Sequence, residues 1–307
     1  MTPQSIPSNQ TQLWMAAIKP PMYTVAVIPI WVGTAVAIAE THRFQVGTFS
    51  LFLLSAIFII AWLNLSNDVF DADTGIDKNK AHSVVNLTGN QSLVFGIANL
   101  FLLLGISGIL GIAVWQQDWT VLGIILLCCA LGYTYQGPPF RLGYLGLGEI
   151  ICFITFGPLA VAAAYYSQTQ AWPIERSSIL ALLAASTFVG IATSLILFCS
   201  HFHQVEDDLA AGKKSPIVRL GTETGAKLLP GSSGSLYGLT AACVLGGIFP
   251  GWTLLSLASL PFAVKLCQHV GAYHDRPELV SNSKFIAVAL HFFGGLLLGI
   301  GFILPAI

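Results

Sequence analysis

Charge is what this chain has least of. Of 307 residues only 9% are charged, against about 25% in an ordinary globular protein, and 13 basic side chains are set against 14 acidic ones. So few charges cannot cover the surface of a water-soluble protein of this length. A formal net charge of −1 also lacks the basic excess that nucleic-acid binding requires. Metal–thiolate spacing is missing: none of the six cysteines (128, 129, 152, 199, 243 and 267) stands in a CxxC pair. All lie in or beside apolar runs, where they read as small packing residues. There is no P-loop, no dinucleotide fingerprint and no Ser/His/Asp arrangement. The stretch from Met1 to Gln12 is polar and has no basic leader region. The expectation is therefore no secretory signal and no transit peptide, as in a bacterial chain or one already trimmed.

Apolar residues are abundant: 55% of the chain, with a mean hydropathy of +0.76. Lipid is the solvent such a composition needs. A membrane helix takes about 20 mostly apolar residues. Nine such runs occur, near 22–40, 48–68, 91–114, 119–136, 147–166, 178–200, 235–250, 252–270 and 284–305. The fold expected is all-α, a polytopic bundle of nine transmembrane helices forming one domain over 1–307. Thirty glycines suit closely packed membrane helices. With nine spans, Arg43 and Arg176 fall on one side and the other lysines and arginines on the opposite side. By the positive-inside rule the second side, with the N-terminus, is cytoplasmic. Two long connections, 69–90 and 201–234, lie there and hold most of the charge.

Two acidic clusters stand at the cytoplasmic ends of even-numbered spans. In the first, Asn64, Asn67, Asp68 and Asp71 are spaced 0, 3, 4 and 7, one face of a helix if the second span continues. In the second, His201, Gln204 and Asp208 repeat the 0, 3, 7 spacing, with His203, Glu206 and Asp207 between. Ionisable groups at a span end are costly and default to function. Clustered carboxylates repel unless a cation neutralises them, and carboxylate with amide oxygens suits Mg²⁺. Bases follow each cluster: Lys78 and Lys80, then Lys213, Lys214 and Arg219. Acids that hold a metal beside bases match a Mg²⁺–diphosphate ligand. A third cytoplasmic link, 132–149, carries Tyr135 and Arg141. Arg141 could hold a phosphate or carboxylate or serve as a positive-inside anchor. Lys19, which opens the first span, is open to the same two readings. His42 and His291 read as structural.

These residues resemble the UbiA-type intramembrane prenyltransferase superfamily over essentially the whole chain. Asn67-Asp68-Val-Phe-Asp71 is similar to its first Asn-Asp-x-x-Asp motif. Gly75-Ile76-Asp77, the run Leu142–Glu149 and the run Gly212–Gly221 resemble the branch that prenylates 1,4-dihydroxy-2-naphthoate. The string Cys199–Leu209 resembles its cyanobacterial and plastid phytyl-transferring members. Two positions depart from the pattern: Gly75 stands where an acid is usual, with Asp73 and Asp77 nearby, and Gln204 stands where motif two usually has Asp, with Glu206 and Asp207 close by.

The resemblance implies Mg²⁺ held by Asp68, Asp71 and Asp208, assisted by Asn67 and Gln204. It implies phytyl diphosphate and 1,4-dihydroxy-2-naphthoate as substrates, with loss of CO₂. The substrate-binding set expected is Lys19, Asn64, Asp77, Lys78, Lys80, Tyr135, Arg141, His201, His203, Asp207, Lys213 and Lys214. The membrane implied is a cyanobacterial plasma or thylakoid membrane, with the site facing the cytoplasm. Prenyl length and oligomeric state are left open. Another aromatic acceptor, such as homogentisate or 4-hydroxybenzoate, is an alternative. So is an ion-coupled transporter, although that predicts acids near the bilayer midplane. A CDP-alcohol phosphotransferase is disfavoured because its Asp-Gly-x-x-Ala-Arg element is absent.

Overall fold

In hydrocarbon every backbone N–H and C=O must find its partner within the segment, so long apolar runs become helices. The computed structural model describes residues 10–18, 20–76 and 83–306, and all regular structure among them is helical. The expected positions Lys19, Asp77, Lys78 and Lys80 lie outside the described residues.

A short helix, Gln10–Ile18, precedes the bundle. The long helices follow as α1 (Thr24–Thr41), α2 (Val46–Thr74), α3 (Gln91–Gln116) and α4 (Thr120–Gln136). After them come α5 (Gly148–Thr169), α6 (Arg176–Ser200), α7 (Thr222–Leu245), α8 (Leu260–Tyr273) and α9 (Ser283–Ile303). Among the described residues eight segments are long and apolar enough to cross a membrane, α8 counted with the 3-10 stretch before it as Gly251–Tyr273; α4, with 17 residues, falls short. A 3-10 stretch, Gly251–Ser259, leads into α8 behind the Pro250 turn.

Two boundaries differ from the sequence reading. Helix α2 does not end near 68 but runs on to Thr74 and stops at Gly75 in left-handed conformation, so Asp68 and Asp71 are helical. Helix α7 starts at Thr222 rather than near 235. Its first turns carry Gly225, Pro230, Gly231 and several serines, a composition that reads as loop until neighbours hold it. The 6–7 connection is correspondingly short and contains two small helices, Val205–Ala210 and Pro216–Leu220.

One buried cluster joins α1, α6, α7, α8 and α9; a second joins α1 to α5. Small residues set the closest approaches. A Cβ on Gly157 of α5 would lie 2.7 Å from the Ser186 carbonyl oxygen of α6, so the two backbones cross in direct contact.

Odd-numbered connections gather at one end of the bundle. There Gln45 N donates to Gln168 Oε1 at 2.9 Å, Gln45 Nε2 to the Gln168 carbonyl at 2.7 Å, and Gln116 Nε2 to the Ser167 carbonyl at 2.7 Å. Even-numbered connections gather at the other end, as the nine-span alternation requires.

Candidate active site

A cavity of about 230 Å³ opens among α1, α2, α4, α5 and α6. Deep inside its walls are Ile30, Phe52, Ile59 and Ile125; toward the end with even-numbered connections they become Asn64, Asn67, Tyr135 and Ser200. The six cysteines are all free, and Cys128 and Cys152 serve as cavity wall. The acid clusters stand at this polar end.

On α2, Asn64 and Asn67 line the cavity, and the acids follow one turn on. Asp68 is 3% exposed, and its Oδ2 accepts the Val84 backbone N–H at 2.9 Å. Asp71 is half-buried and accepts from Gln136 Nε2, at the end of α4, at 2.6 Å. Asp73 points outward and takes a 2.6 Å hydrogen bond from Gln91 Nε2.

At the end of α6 the helix tightens into a 3-10 turn, His201–His203, so the expected helical 0, 3, 7 spacing is broken. His201 and Asp208 meet all the same: Nδ1 lies 3.2 Å from Asp208 Oδ2. Lys213 Nζ pairs with the other oxygen, Oδ1, at 3.2 Å, and both partners are buried. Burial pushes the Asp208 carboxyl up, but the His201 hydrogen bond and the Lys213 charge outweigh it and hold the group below the usual carboxylate range. Gln204 and His203 are half-buried; Glu206, Asp207 and Lys214 are exposed.

The link between α4 and α5 ties the clusters together. The Tyr144 hydroxyl hydrogen-bonds Thr74 Oγ1, at the end of α2, at 2.8 Å. The Tyr144 carbonyl accepts the Lys214 N–H at 2.8 Å. Burial raises the Tyr144 phenol above its ordinary range against the Thr74 hydrogen bond, and the charges of Asp71 and Asp208 add to the rise. Both acids therefore lie within electrostatic reach of one hydroxyl. Arg219 fastens the same link, donating to the Leu145 carbonyl at 2.6 Å and the Lys214 carbonyl at 3.1 Å. Arg141 sits at φ 44 in left-handed conformation, half-buried, with its Nε buried and without a hydrogen bond.

Glu149, Gln136 and Tyr144 had no assigned role from sequence. Glu149 opens α5; its Oε1 lies 3.4 Å from His201 Nε2, and neither carboxylate oxygen accepts a hydrogen bond. His201 therefore stands between two carboxylates. All three lie in the 132–149 link, but only tertiary contact reveals their partners.

Among the described residues no three His, Cys, Asp or Glu side chains are grouped closely enough to hold a metal ion. Asp68 and Asp71 on one side, and Asp208 on the other, lie outside the residues that line the cavity, beyond Asn67 and Tyr135 at its polar end, and form no ready cage. A ligand between them could bring them into one site. The donors are carboxylate and amide oxygens, a set that fits a hard divalent cation with phosphate oxygens completing its shell. Arg141 Nε, buried and without a hydrogen bond, is a donor suited to an anion.

Comparison with known proteins shows the family and the fold. The profile of the UbiA prenyltransferase family matches residues 26–303. A Synechocystis protein named 2-carboxy-1,4-naphthoquinone phytyltransferase is 63% identical over 98% of this chain and 96% of its own. Its chloroplastic namesake from Arabidopsis thaliana is 42% identical over 96% of this chain and 78% of its own. The same fold occurs in a UbiA homolog from Archaeoglobus fulgidus bound to DMAPP and Mg²⁺ (TM-score 0.62, 17% identity, 94% of this chain and 99% of that one). An apo homolog from Aeropyrum pernix has a TM-score of 0.69 at 13% identity, over 94% of this chain and 99% of that one.

Proposed function

Because this chain belongs to the UbiA prenyltransferase family, we propose that the acid-bearing end of its cavity carries out the transfer for which its phytyltransferase relatives are named. The protein is an integral membrane prenyltransferase. It moves a phytyl group onto 2-carboxy-1,4-naphthoquinone in its reduced form, 1,4-dihydroxy-2-naphthoate, giving demethylphylloquinol for phylloquinone synthesis. The observation that carries the site assignment is the Tyr144 bridge, which joins the end of α2 to the Asp208–Lys214 segment over an apolar cavity.

The donor is phytyl diphosphate, its tail in the cavity and its diphosphate at the polar end. Asp68, Asp71 and Asp208 would hold Mg²⁺, with Asn67 and Gln204 assisting. When bound, that ion supplies positive charge to the diphosphate oxygens. Lys213, Lys214 and Arg141 add positive charge beside the leaving group, where negative charge grows as the allylic C–O bond breaks. The C–O pair leaves with the diphosphate, and the allylic cation remains among apolar and aromatic walls that exclude water. The ring carbon bearing the carboxylate attacks it. The C–C pair of the carboxylate returns to the ring as CO₂ departs, so the transfer needs no oxidant. The distribution of Lys and Arg supports a polar end facing the cytoplasm, in a plasma or thylakoid membrane of cyanobacterial type.

The test is product mass. Purified protein given 1,4-dihydroxy-2-naphthoate, phytyl diphosphate and Mg²⁺ yields the decarboxylated phytyl adduct, and EDTA stops it. Adduct formation with homogentisate or 4-hydroxybenzoate but not with the naphthoate would overturn the acceptor assignment.

A further inference from the structure

Asp208 is gripped at both of its oxygens, and the two grips are set in different ways. Lys213 is delivered by the chain itself. The small helix Val205–Ala210 closes on Gly212 at φ 71, with the Gly212 N–H bonded to the Leu209 carbonyl at 3.1 Å and the Lys213 N–H to the Asp208 carbonyl at 2.7 Å. A helix commonly ends in this way on a left-handed glycine. The closure returns Lys213 to the side of Asp208, where its Nζ lies 3.2 Å from Oδ1. His201 has no such local reason to be there. It comes from the preceding 3-10 turn, and the torsion that turns an imidazole ring is broad unless something meets the far nitrogen. Here Glu149 meets it. Nε2 lies 3.4 Å from Glu149 Oε1, while Nδ1 lies 3.2 Å from Asp208 Oδ2. The ring cannot turn without leaving both carboxylates.

Glu149 is itself placed by backbone. A Cβ on Gly148, the residue before it, would come within 2.8 Å of the Tyr135 ring and 3.0 Å of the Leu197 side chain, so α5 starts pressed against α4 and α6. The Ser194 hydroxyl donates to the Glu149 carbonyl at 2.9 Å, about two turns before His201. An acid in the first turn of a helix is favoured by the helix dipole, most simply with its carboxylate in water. The Glu149 side chain is only 17% exposed, and both of its oxygens are buried without a hydrogen bond. It is turned inward, to the ring. We propose that Glu149 is a positioning residue for the acid end after α6: it fixes the plane of the His201 ring, and the ring fixes the direction of the Asp208 carboxylate. This rests on the reading of Asp208 as a Mg²⁺ ligand. Each carboxylate oxygen has a second lone pair, so His201 and Lys213 can stay in place while Asp208 faces an ion. Partners one step removed from a metal typically account for roughly ten- to hundredfold of its affinity.

The experiment uses the full chain in lipid nanodiscs. It reads Mn²⁺ binding by electron paramagnetic resonance with inorganic pyrophosphate present, and the KM for 1,4-dihydroxy-2-naphthoate at saturating Mg²⁺. Glu149→Gln keeps the shape of the side chain and removes its charge. It weakens Mn²⁺ binding by roughly tenfold or more and leaves that KM unchanged. Glu149→Asp, the second variant should the first not fold, draws the carboxylate back by one methylene and gives a smaller loss of the same kind. In a His201→Gln background, itself weakened, Glu149→Gln adds no further loss, because its effect passes through the ring. If folded Glu149→Gln lowers Tm but binds Mn²⁺ as wild type does, while Asp208→Ala does not, Glu149 serves the fold alone and the proposal falls with the role of Asp208 intact. If Glu149→Gln costs as much with His201→Gln as without it, Glu149 acts on the ion by another route and the positioning chain is wrong. If Asp208→Ala leaves Mn²⁺ binding intact, the metal reading itself fails and the chain goes with it.

Discussion

The two ends of this bundle are both polar, yet they are built differently. At the end with short turns the polar groups are stitched to one another: Gln45 with Gln168, Gln116 with the Ser167 carbonyl, the Tyr166 hydroxyl to Asp118 at 2.7 Å, and the Tyr165 hydroxyl to Glu40 at 2.7 Å. At the other end Arg141 Nε and both oxygens of Glu149 are buried without a hydrogen bond, although Glu149 Oε1 lies 3.4 Å from His201 Nε2; at the first end Gln116 Oε1 is the atom left in that state. A buried polar atom without a partner costs about 1–3 kcal/mol. A protein keeps several in one place where a ligand completes them. The contrast is one of degree: at the first end most polar groups hold the helices to one another, and at the second more of them have hydrogen-bonding capacity left over.

Substitutions should divide along that line. The largest effect belongs to the acids of α2. Asp68→Ala and Asp71→Ala each lower kcat/KM by roughly a thousandfold or more, while thermal unfolding in detergent still shows a single folded transition; near-normal turnover in both would remove them from the site. Next comes Gln136→Ala, which deletes the 2.6 Å hydrogen bond that orients Asp71. The expected loss is roughly ten- to hundredfold in kcat/KM, measured at saturating Mg²⁺.

The stitched end should answer in stability alone. Gln168→Ala strands the Gln45 N–H and lowers stability by about 2 kcal/mol, read as a lower Tm with kcat/KM unchanged; a catalytic loss comparable to that of Gln136→Ala would erase the distinction between the ends. The smallest effect is acidic. The Thr120 N–H and the Tyr166 hydroxyl hold the Asp118 carboxyl below its usual range. A depressed folded pKa gives stability that is present above the ordinary aspartate pKa and lost as pH falls through the folded value. Asp118→Asn should therefore lower Tm slightly at neutral pH, where that contribution is present, leave Tm unchanged at acid pH where it is already lost, and so flatten the acid limb of a Tm–pH profile.

Much of this was legible before any coordinates. Apolar runs gave the helices because lipid leaves the backbone no alternative, and the spacing of Asn64, Asn67, Asp68 and Asp71 marked an α2 that continues past the apolar run. The 140-residue separation of Asp68 and Asp208 in the sequence did not hide their kinship, since each ends an even-numbered span. What stayed hidden depends on neighbours. Nothing local says that Asp68 turns to the Val84 N–H, that Gln136 reaches Asp71, or that Glu149 meets His201. Helix α7 was masked by glycine, serine and proline in its first turns, residues that propensity assigns to loops and that packing overrides here.

The central claim is that α2 and the segment after α6 serve one ligand, and it can be measured without turnover. Mn²⁺ binding, followed by electron paramagnetic resonance in the presence of inorganic pyrophosphate, should be strong in wild type. It should weaken by roughly tenfold or more in both Asp68→Ala and Asp208→Ala, each removing a carboxylate from the same ion-binding group. If Asp208→Ala binds Mn²⁺ as tightly as wild type while Asp68→Ala does not, the two acidic ends do not share a ligand, and the account is contradicted.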